Sequence, residues 1–575
     1  MMLQEINWTD IAQHLFVYDP KRPLLFNSAA FLALFIVLYA LFIPMRRATT
    51  WRTWYLLLFS IFFYYKSSGL FFILLLLSTG WNFGLGHLMH TAGSRASRIF
   101  YLFLSVGGSL GLLAYYKYTN FFIGSVNALA GTEFAFQKIF LPVGISFFTF
   151  QTLSYTIDVY RGTLKPISEG ARTAGDWLQS FADFAFYVSF FPQLVAGPIV
   201  RAADFIPQIR QPLKLSKENV GYALLLISGG LFKKAVISDY ISVNFVDRIF
   251  ANPGLYSGFE NLMGVYGYAI QIYCDFSGYS DMAIGLALLF GFQLAENFRS
   301  PYKAVSVQDF WQRWHISLST WLRDYLYISL GGNKKGKFRT YLNLMITMLL
   351  GGLWHGANWV FIIWGALHGA ALAIDRFLKN LGRIWENPAM RAFLIMLIIQ
   401  GGCQIAVWRI YAAGDLDELE YADLLNGNLL VAGVWFGLML LAIAIDKLVK
   451  KSTASRIAAG IMVFHFVCFC WIFFRSGAPG SRVPPMETTF KMLYQIMAVF
   501  RPEVMGQVIA GYWKAMLLIG TGFLIHLLPG SWDRSLEKGY ARMPAVVKAV
   551  GLALIIWIVI QTSSAEVTPF IYFQF

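Results

Sequence analysis

The sequence predicts an all-α protein that crosses a membrane many times. Of its 575 residues, 57% are hydrophobic and only 13% are charged, about half of the roughly 25% charged residues that are usual in soluble domains. Apolar stretches that approach or exceed the ~20 residues needed to span a bilayer recur from one end of the chain to the other. Short basic turns separate many of these stretches, as cytoplasmic loops of membrane proteins do.

The N-terminal half is predicted to hold the first membrane segments. Residues 1–23 are weakly amphipathic and are expected to lie on the membrane surface, and their acidic residues argue against a cleavable signal peptide. A short apolar run is divided from the next by Lys66 and Gly69, which indicates one broken helix or two tilted ones. Lys233 and Lys234 interrupt a later run and are expected to mark an interface. The apolar segments are residues 24–45, 54–65, 70–89, 99–116, 140–160, 177–200 and 220–246.

Two of the apolar segments contain residues that a plain membrane helix would not carry. Pro192 and Pro198 break a helix, and the backbone groups that they free are tolerated in a membrane only where protein or a water-filled cavity satisfies them. Residues 262–294 carry Asp275 and Asp281, which are expected to face a bundle interior. A step of six residues turns these two carboxylates to different faces of a helix, so they are not a paired acid and base.

The C-terminal part adds further spans and two polar connections. Residues 411–428 are acidic and residues 476–511 contain Pro484 and Pro485, so both are expected to be exposed loops. The whole chain, residues 1–575, is interpreted as one integral membrane domain with a catalytic core at residues 140–370 and C-terminal helices at residues 371–575. The spans of this part are predicted near residues 393–410, 429–448, 457–474, 513–528 and 545–560.

The stretch from residue 310 to residue 369 concentrates tryptophan, histidine and arginine. If residues 307–330 form one helix, Trp314, Leu318, Trp321 and Tyr325 share one stripe and a polar stripe lies beside it. Such a helix is too charged to span, and it is expected at the membrane interface. The alternative is a surface helix that tryptophan anchors and that has no part in chemistry.

His355 lies inside an apolar run, directly after Trp354 and close to Gly352 and Gly356. A histidine is costly within a membrane, and glycines allow another backbone or a ligand to approach closely. The pattern favours a functional histidine. The alternative is a histidine that only hydrogen-bonds to a neighbouring helix.

The sequence favours acyl transfer without a metal. His355 and His368 are 13 residues apart, which in one helix is ~20 Å and places them on different faces, and no carboxylate lies at ligand spacing. No nucleophile elbow is present. A histidine without a protein nucleophile suits direct transfer, in which it acts as general base on an acceptor hydroxyl that attacks a thioester.

The net charge of +15 is spread over short turns. No soluble basic domain is present, which argues against a nucleic-acid partner. Attraction to anionic lipid headgroups explains the basic turns instead.

Several motifs in one order resemble a known superfamily. Residues 311–325 read WQRWHISLSTWLRDY and residues 352–356 read GLWHG. Supporting motifs are PVGISF at residues 142–147, FPQLVAGPI at residues 191–199 and DFSGYSD at residues 275–281. Together they resemble the membrane-bound O-acyltransferase superfamily, and within it the bacterial branch typified by alginate O-acetylation.

The resemblance implies a ring of tilted helices around a thin centre, with a tunnel that joins the two sides of the membrane. It places the family's catalytic histidine on His355 and its second important histidine on His315. The residues implied as further tunnel or scaffold candidates are Arg313, Asp324, Tyr279, Asn358 and Trp354.

The resemblance also implies the substrates. No cofactor is permanently bound, and the donor is a cytosolic acyl thioester, expected to be acetyl-CoA. The acceptor is an exported polysaccharide or an extracytoplasmic acyltransferase partner of the SGNH type. The implied location is the bacterial cytoplasmic (inner) membrane, which the chain crosses in many passes.

Three other functions remain open from the sequence. Within the family, one alternative is transfer of D-alanine to a cell-wall polymer, and another is acetylation of peptidoglycan or secreted cellulose in place of alginate. A non-enzymatic transporter or flippase would also need polar residues within the membrane, but it would tolerate glutamine in place of His355. A structural scaffold would leave the Trp-His-Gly cluster unexplained.

Overall fold

The computed structural model describes residues 15–20, 23–195, 197–213, 215–414, 416–478 and 483–562. Most of the predicted surface segment at residues 1–23 lies outside these ranges. All regular secondary structure within the described ranges is helical. The all-α class is therefore confirmed.

The first of the helices with described bounds follows Ser28, whose hydroxyl caps it. In chain order they are α1 (Ala29–Met45), α2 (Thr49–Ser68), α3 (Phe72–Thr91), α4 (Arg95–Leu113), α5 (Thr119–Ala130), α6 (Ile145–Arg161), α7 (Ala174–Ser189), α8 (Phe191–Leu194), α9 (Ala202–Ile209), α10 (Lys217–Leu231), α11 (Asp239–Ile241), α12 (Asp247–Ala251) and α13 (Gly258–Leu289).

The helices of the C-terminal half follow the central motif. They are α14 (Val307–Trp311), α15 (Ile316–Trp321), α16 (Lys337–His355), α17 (Trp359–Lys379), α18 (Pro388–Ala412), α19 (Glu418–Val449), α20 (Thr453–Ser476), α21 (Pro485–Ala498), α22 (Met505–Gly511), α23 (Trp513–Leu527), α24 (Gly530–Arg542) and α25 (Ala545–Thr562).

Within the described ranges, seven helical stretches are long and apolar enough to cross a bilayer, and a bent helix pair at Pro502–Gly511 and Trp513–Leu527 would make an eighth. The seven are Thr49–Thr91, Arg95–Ala130, Lys217–Ala251, Trp359–Lys379, Pro388–Ala412, Glu418–Val449 and Thr453–Ser476. The first joins α2 and α3 through a single 3₁₀ turn at Gly69–Phe71. Of the two predicted arrangements for this region, the structure has one broken helical stretch.

The chain divides into two compact units. The first contains Met1–Ala235, Phe276–Glu296 and Arg534–Phe573, and the second contains Val236–Asp275, Asn297–Asp533 and Gln574–Phe575. The long helix α13 contributes residues to each. The motifs at residues 311–325 and 352–356 both belong to the second unit.

In the first unit, the predicted helix break at Pro192 is present. Helix α7 ends at Ser189, and the backbone N–H of Phe191 donates to the hydroxyl of Ser60 at 3.1 Å. The Tyr187 hydroxyl donates to the carbonyl of Val200 at 3.0 Å. These bonds satisfy backbone groups that the break frees, as a membrane interior requires.

Lys233 and Lys234 lie within a helix, and their place at an interface stays a prediction. Residues 217–251 form one continuous helical stretch, which includes a π-helical turn at Phe232–Ser238. Lys234 is buried, and Lys233 pairs with Asp281 and donates to the hydroxyl of Ser277. The ion pair offsets the cost of burying the charges of Lys233 and Asp281, so these two side chains remain inside the packed unit.

The two predicted exposed loops are largely helical. Asp417 and Glu420 form a capping box that starts α19, so only residues 413–417 of the acidic segment connect two helices. Pro485 occupies the first turn of α21, where its missing N–H costs nothing. Helix α21 and helix α22 together fill most of residues 485–511.

The motif at residues 311–325 is not one helix, which corrects the single-stripe interpretation of residues 307–330. Helix α14 ends at Trp311, and His315 adopts a left-handed backbone conformation with φ 44°. Helix α15 starts at Ile316 and continues as a π-helical turn over Leu322–Tyr327. The bend at His315 therefore divides the motif into two helical segments.

Helices α16 and α17 form a tight antiparallel hairpin in the second unit. A Cβ atom on Gly352 would lie 2.2 Å from the carbonyl oxygen of Phe361, and one on Gly365 would lie 2.3 Å from that of Met348. Only glycine fits where two backbones approach this closely. The hairpin places His355 at the end of α16, beside the start of α17.

Candidate active site

His355 is the last residue of α16 and is 2% exposed. The chain leaves the helix through Gly356, where a Cβ atom would lie 2.1 Å from the ring of Phe361. The glycine therefore lets the chain turn directly against the next helix. This turn holds the imidazole inside the second unit and away from the surface.

Aromatic rings surround the imidazole of His355. Ring centroids of Trp354, Trp364 and Phe474 lie 5.0, 5.1 and 5.2 Å from it, each in an edge-to-face arrangement. These three rings come from α16, α17 and α20. They fix the orientation of the imidazole and surround it with apolar surface.

His368 packs on the same indole as His355. Its ring centroid is 4.8 Å from that of Trp364, and its Nδ1 accepts a hydrogen bond from Nε1 of Trp311 at 3.3 Å. Because Nδ1 accepts, the proton of the neutral ring is on Nε2. Within the described ranges, no group of three or more His, Cys, Asp or Glu side chains is placed to hold a metal ion.

His315 is fully buried beside Asn297. Its Nδ1 lies 3.1 Å from Oδ1 of Asn297, and the backbone N–H and the hydroxyl of Ser317 donate to the same oxygen at 3.3 and 2.9 Å. The backbone N–H of Ile316 also donates to the carbonyl of Asn297 at 2.9 Å. These bonds hold the left-handed turn at His315.

The contacts of His315 define its protonation. A backbone N–H donates only to an acceptor, so the bond from Ser317 identifies the Asn297 atom as oxygen, and Nδ1 of His315 must carry a proton. Burial lowers the pKa of His315 to about 3, so the ring is neutral at physiological pH. Its Nε2 atom therefore has the lone pair.

The two histidines of the motifs are brought together through Trp354. The ring centroid of this indole lies 6.2 Å from that of His315 and 5.0 Å from that of His355. Trp354 is 4% exposed. The two motifs thus lie together within one unit, with a buried indole beside both imidazoles.

Three of the other candidate residues have contacts of a structural kind. Arg313 pairs with Asp309 at 2.7 Å, and Asp324 pairs with Arg323 at 2.6 Å. The side chain of Asn358 caps α17 by accepting from the N–H of Val360 at 3.2 Å. These contacts position the bend and the hairpin around the histidines.

Tyr279 lies in the first unit. It is 2% exposed, and its ring stacks on that of Phe26 with centroids 4.5 Å apart. This packing belongs to an aromatic cluster with Phe31, Phe63 and Phe191 around Phe26. The contacts described for Tyr279 are those of a core residue.

Sequence reasoning missed Asn297, Trp364 and Phe474 as neighbours of the two histidines. Asn297 stands 18 residues before His315 in a connection without a motif, so its role emerges only from the fold. Phe474 lies more than a hundred residues after His355. Trp364 lies within the stretch from residue 310 to residue 369. Its spacing of four residues from His368 places both on one helix face, and this spacing could have indicated the contact.

Comparison with known proteins identifies the family. Residues 126–397 match the membrane-bound O-acyltransferase family. The chain is also 40% identical over 421 residues to the protein named "Probable alginate O-acetylase AlgI" of Pseudomonas putida, with 71% of this chain and 79% of that protein covered. This chain belongs to the membrane-bound O-acyltransferase family.

Two further relatives of this O-acyltransferase carry other names. It is 40% identical over 331 residues to the "Peptidoglycan O-acetyltransferase" of Helicobacter pylori, covering 55% of this chain and 63% of that protein. It is 31% identical over 255 residues to the "Teichoic acid D-alanyltransferase" of Streptococcus thermophilus, covering 42% and 58%. The predicted family is confirmed, and the protein is an acyltransferase that crosses the membrane in several passes.

Proposed function

We propose that this O-acyltransferase moves an acetyl group from a cytosolic thioester for the O-acetylation of an exported polysaccharide, with His355 as general base. The names of the relatives supply the class of substrate, since two of the three compared proteins are named as acetylating enzymes of polysaccharide or peptidoglycan. The observation that carries the assignment of the base is the enclosure of His355 by three aromatic rings. Burying a basic side chain in a membrane protein costs free energy, and a role in proton transfer would explain why the histidine is there.

The reaction requires one base and one leaving group. His355 takes the proton of an acceptor hydroxyl while its oxygen attacks the thioester carbonyl, and a tetrahedral oxyanion forms. When the C–S bond breaks, the imidazolium returns the proton to the departing thiolate. The products are an O-acetyl ester and a free thiol, and His355 is again neutral.

His315 has a different part in this proposal. Because burial lowers its pKa to about 3, it is a weak base at physiological pH. Its Nδ1 donates to Asn297, which fixes the orientation of the imidazole. We assign His315 to orient the acceptor hydroxyl, and Arg313, Asp324, Asn358 and Trp354 to hold the two histidines in place.

The donor and the acceptor follow the family expectation. Acetyl-CoA is proposed as the thioester, bound only as a substrate. The acetyl group would reach the glycan directly or through an extracytoplasmic acyltransferase of the SGNH type. The proposed location is the cytoplasmic membrane of a bacterium, where both a cytosolic donor and an exported glycan are accessible.

A second candidate function is transfer of D-alanine. The similarity to a teichoic acid D-alanyltransferase favours it, but that relative is 31% identical and covers 42% of this chain. Both reactions use an activated acyl group and a hydroxyl acceptor. The histidine geometry is compatible with both of them.

Base-released esters distinguish the two functions. Exported polymers from cells with and without the gene are treated with mild alkali, and the released acids are identified. The proposal predicts acetate that depends on the gene. Gene-dependent D-alanine with unchanged acetate would support the second candidate, and the absence of any gene-dependent ester would contradict both.

Replacing Asn297 with leucine is expected to lower the acyl-transfer rate by about tenfold, because His315 and Ser317 lose their common acceptor. The lost buried hydrogen bonds should also destabilise the protein by ~1–3 kcal/mol. Asn297→Asp keeps an acceptor oxygen and should retain more activity than the leucine variant. Equal rates for Asn297→Leu and wild type, measured on the purified enzyme, would remove Asn297 from the positioning of His315.

A further inference from the structure

The second unit contains an apolar cavity separate from the residues around His355. Its volume is about 490 Å³, within the range of ~300–1,000 Å³ for ligand pockets. Helices α18, α19, α20 and α21 and the start of α13 line it. Representative lining residues are Met396, Cys403, Leu424, Val431, Phe469 and Met497.

Three of the helices around the cavity are candidate membrane spans, Pro388–Ala412, Glu418–Val449 and Thr453–Ser476. Leu430 and Val434 line the cavity and are also 70% and 57% exposed. In a membrane protein, such exposed apolar side chains contact lipid. The cavity is therefore open towards lipid chains along α19.

The polar side chains of the lining bond to each other and to the helix backbone. Nδ1 of His465 lies 2.8 Å from the carbonyl of Ile461 and its Nε2 lies 2.7 Å from the hydroxyl of Tyr266. Asn428 donates to Oε1 of Gln404 at 3.0 Å. No Asp, Glu, Lys or Arg belongs to the lining. Such a wall suits a hydrocarbon chain and excludes a charged group.

Two donors in the lining point to an occupant with acceptor oxygens. Nε2 of Gln404 and Nε1 of Trp435 are buried and have no hydrogen-bond partner within the described ranges. A buried donor without an acceptor costs ~1–3 kcal/mol. An ester carbonyl beside the hydrocarbon chain would satisfy one of them.

One end of the cavity is acidic. Tyr494 belongs to the lining, and burial together with the negative charges of Glu420, Asp423 and Asp417 raises its pKa. Asp423 and Asn428 are five positions apart in α19, a rise of ~7–8 Å. An acidic group of side chains near the polar end of an apolar cavity favours a headgroup that carries an amine.

We propose that this cavity binds an acyl chain of an amine-containing phospholipid such as phosphatidylethanolamine, with the amine near Glu420 and Asp423. The site is independent of the proposed acetyl transfer. The chain would fill the space between α18, α19, α20 and α21. It would thereby contact α18 and α19 on one side and α20, the helix that carries Phe474, on the other.

The test uses the purified full chain in vesicles that contain a trace of phosphatidylethanolamine with a photoreactive diazirine on its acyl chain. We expect crosslinks on the cavity-lining peptides of α18, α19 and α20. Unlabelled phosphatidylethanolamine should compete, and phosphatidylglycerol should compete about tenfold less well. This comparison needs no variant.

Two variants on one helix sharpen the test. Val431→Trp fills the cavity and should reduce its labelling by about tenfold, whereas Leu441→Trp on the exposed face of α19 should not. The double variant Glu420→Gln, Asp423→Asn should remove the preference for phosphatidylethanolamine. Labelling spread evenly over all spans, equal competition by both lipids, or protection of the cavity by a co-purifying protein in native membranes would overturn the proposal.

Discussion

Replacing His355 with glutamine is expected to lower the rate of acyl transfer about 10²–10⁴-fold, the usual contribution of a general base. Glutamine has a similar size and can still hydrogen-bond within the enclosure of Trp354, Trp364 and Phe474, but it cannot take up a proton. The measurement is the initial rate of ester formation by purified enzyme in vesicles. The folded fraction of each preparation is determined in parallel.

The control for this variant is His87→Gln. His87 lies in the first unit, where its ring centroid is 4.6 Å from that of Trp177 and its Nδ1 bonds to the hydroxyl of Ser168 at 3.0 Å. It is a half-buried histidine that packs on an aromatic ring but has no proposed role in the reaction. Its replacement should change the rate less than threefold, roughly 0.6 kcal/mol in barrier height. A His355→Gln enzyme as active as this control would contradict the assignment of the base.

Replacing Gly365 with leucine is expected to prevent stable folding of the second unit. The new Cβ would lie 2.3 Å from the carbonyl oxygen of Met348, and backbone cannot move aside as a side chain can. Overpacking of a core typically costs ~1–3 kcal/mol, and a backbone clash in a helix hairpin should reach or exceed the upper end. The expected result is a large loss of monodisperse protein and a lower thermal midpoint.

Gly437→Leu on α19 is the matched control for this substitution. A Cβ at Gly437 meets nothing within 4 Å, so leucine there should fold and should leave the thermal midpoint almost unchanged. If Gly365→Leu melted at the same temperature as Gly437→Leu, the close packing of α16 against α17 would not be required. The placement of His355 by that hairpin would then need another explanation.

The class of the fold was predictable because long apolar stretches are a direct consequence of the bilayer. The burial of His355 was also predictable, since this histidine lies among glycines in an apolar run, whereas its role as a base stays a prediction. The bend at His315 was not predictable. It depends on hydrogen bonds that Oδ1 of Asn297 accepts, and no local pattern specifies a left-handed residue in the middle of an amphipathic sequence.

The ion pair of Lys233 and the helical part of the acidic segment were other features that sequence reasoning did not predict. The ion pair was not predictable because its partner, Asp281, lies 48 positions away. The acidic segment looked like a loop because charge conceals helical capping, although Asp417 and Glu420 have capping-box spacing. The partner of Lys233 was too distant in sequence to be recognised. The capping box was overlooked because the whole segment around it is acidic.

The most direct test of the account is the amount of ester-linked acetate on the exported polysaccharide of cells that carry wild type or His355→Gln, with equal amounts of both proteins in the membrane. The account predicts that acetate falls to the level of cells without the gene. Wild-type acetate in the His355→Gln cells would contradict it, and would show that the enclosed imidazole is not the base of the transfer.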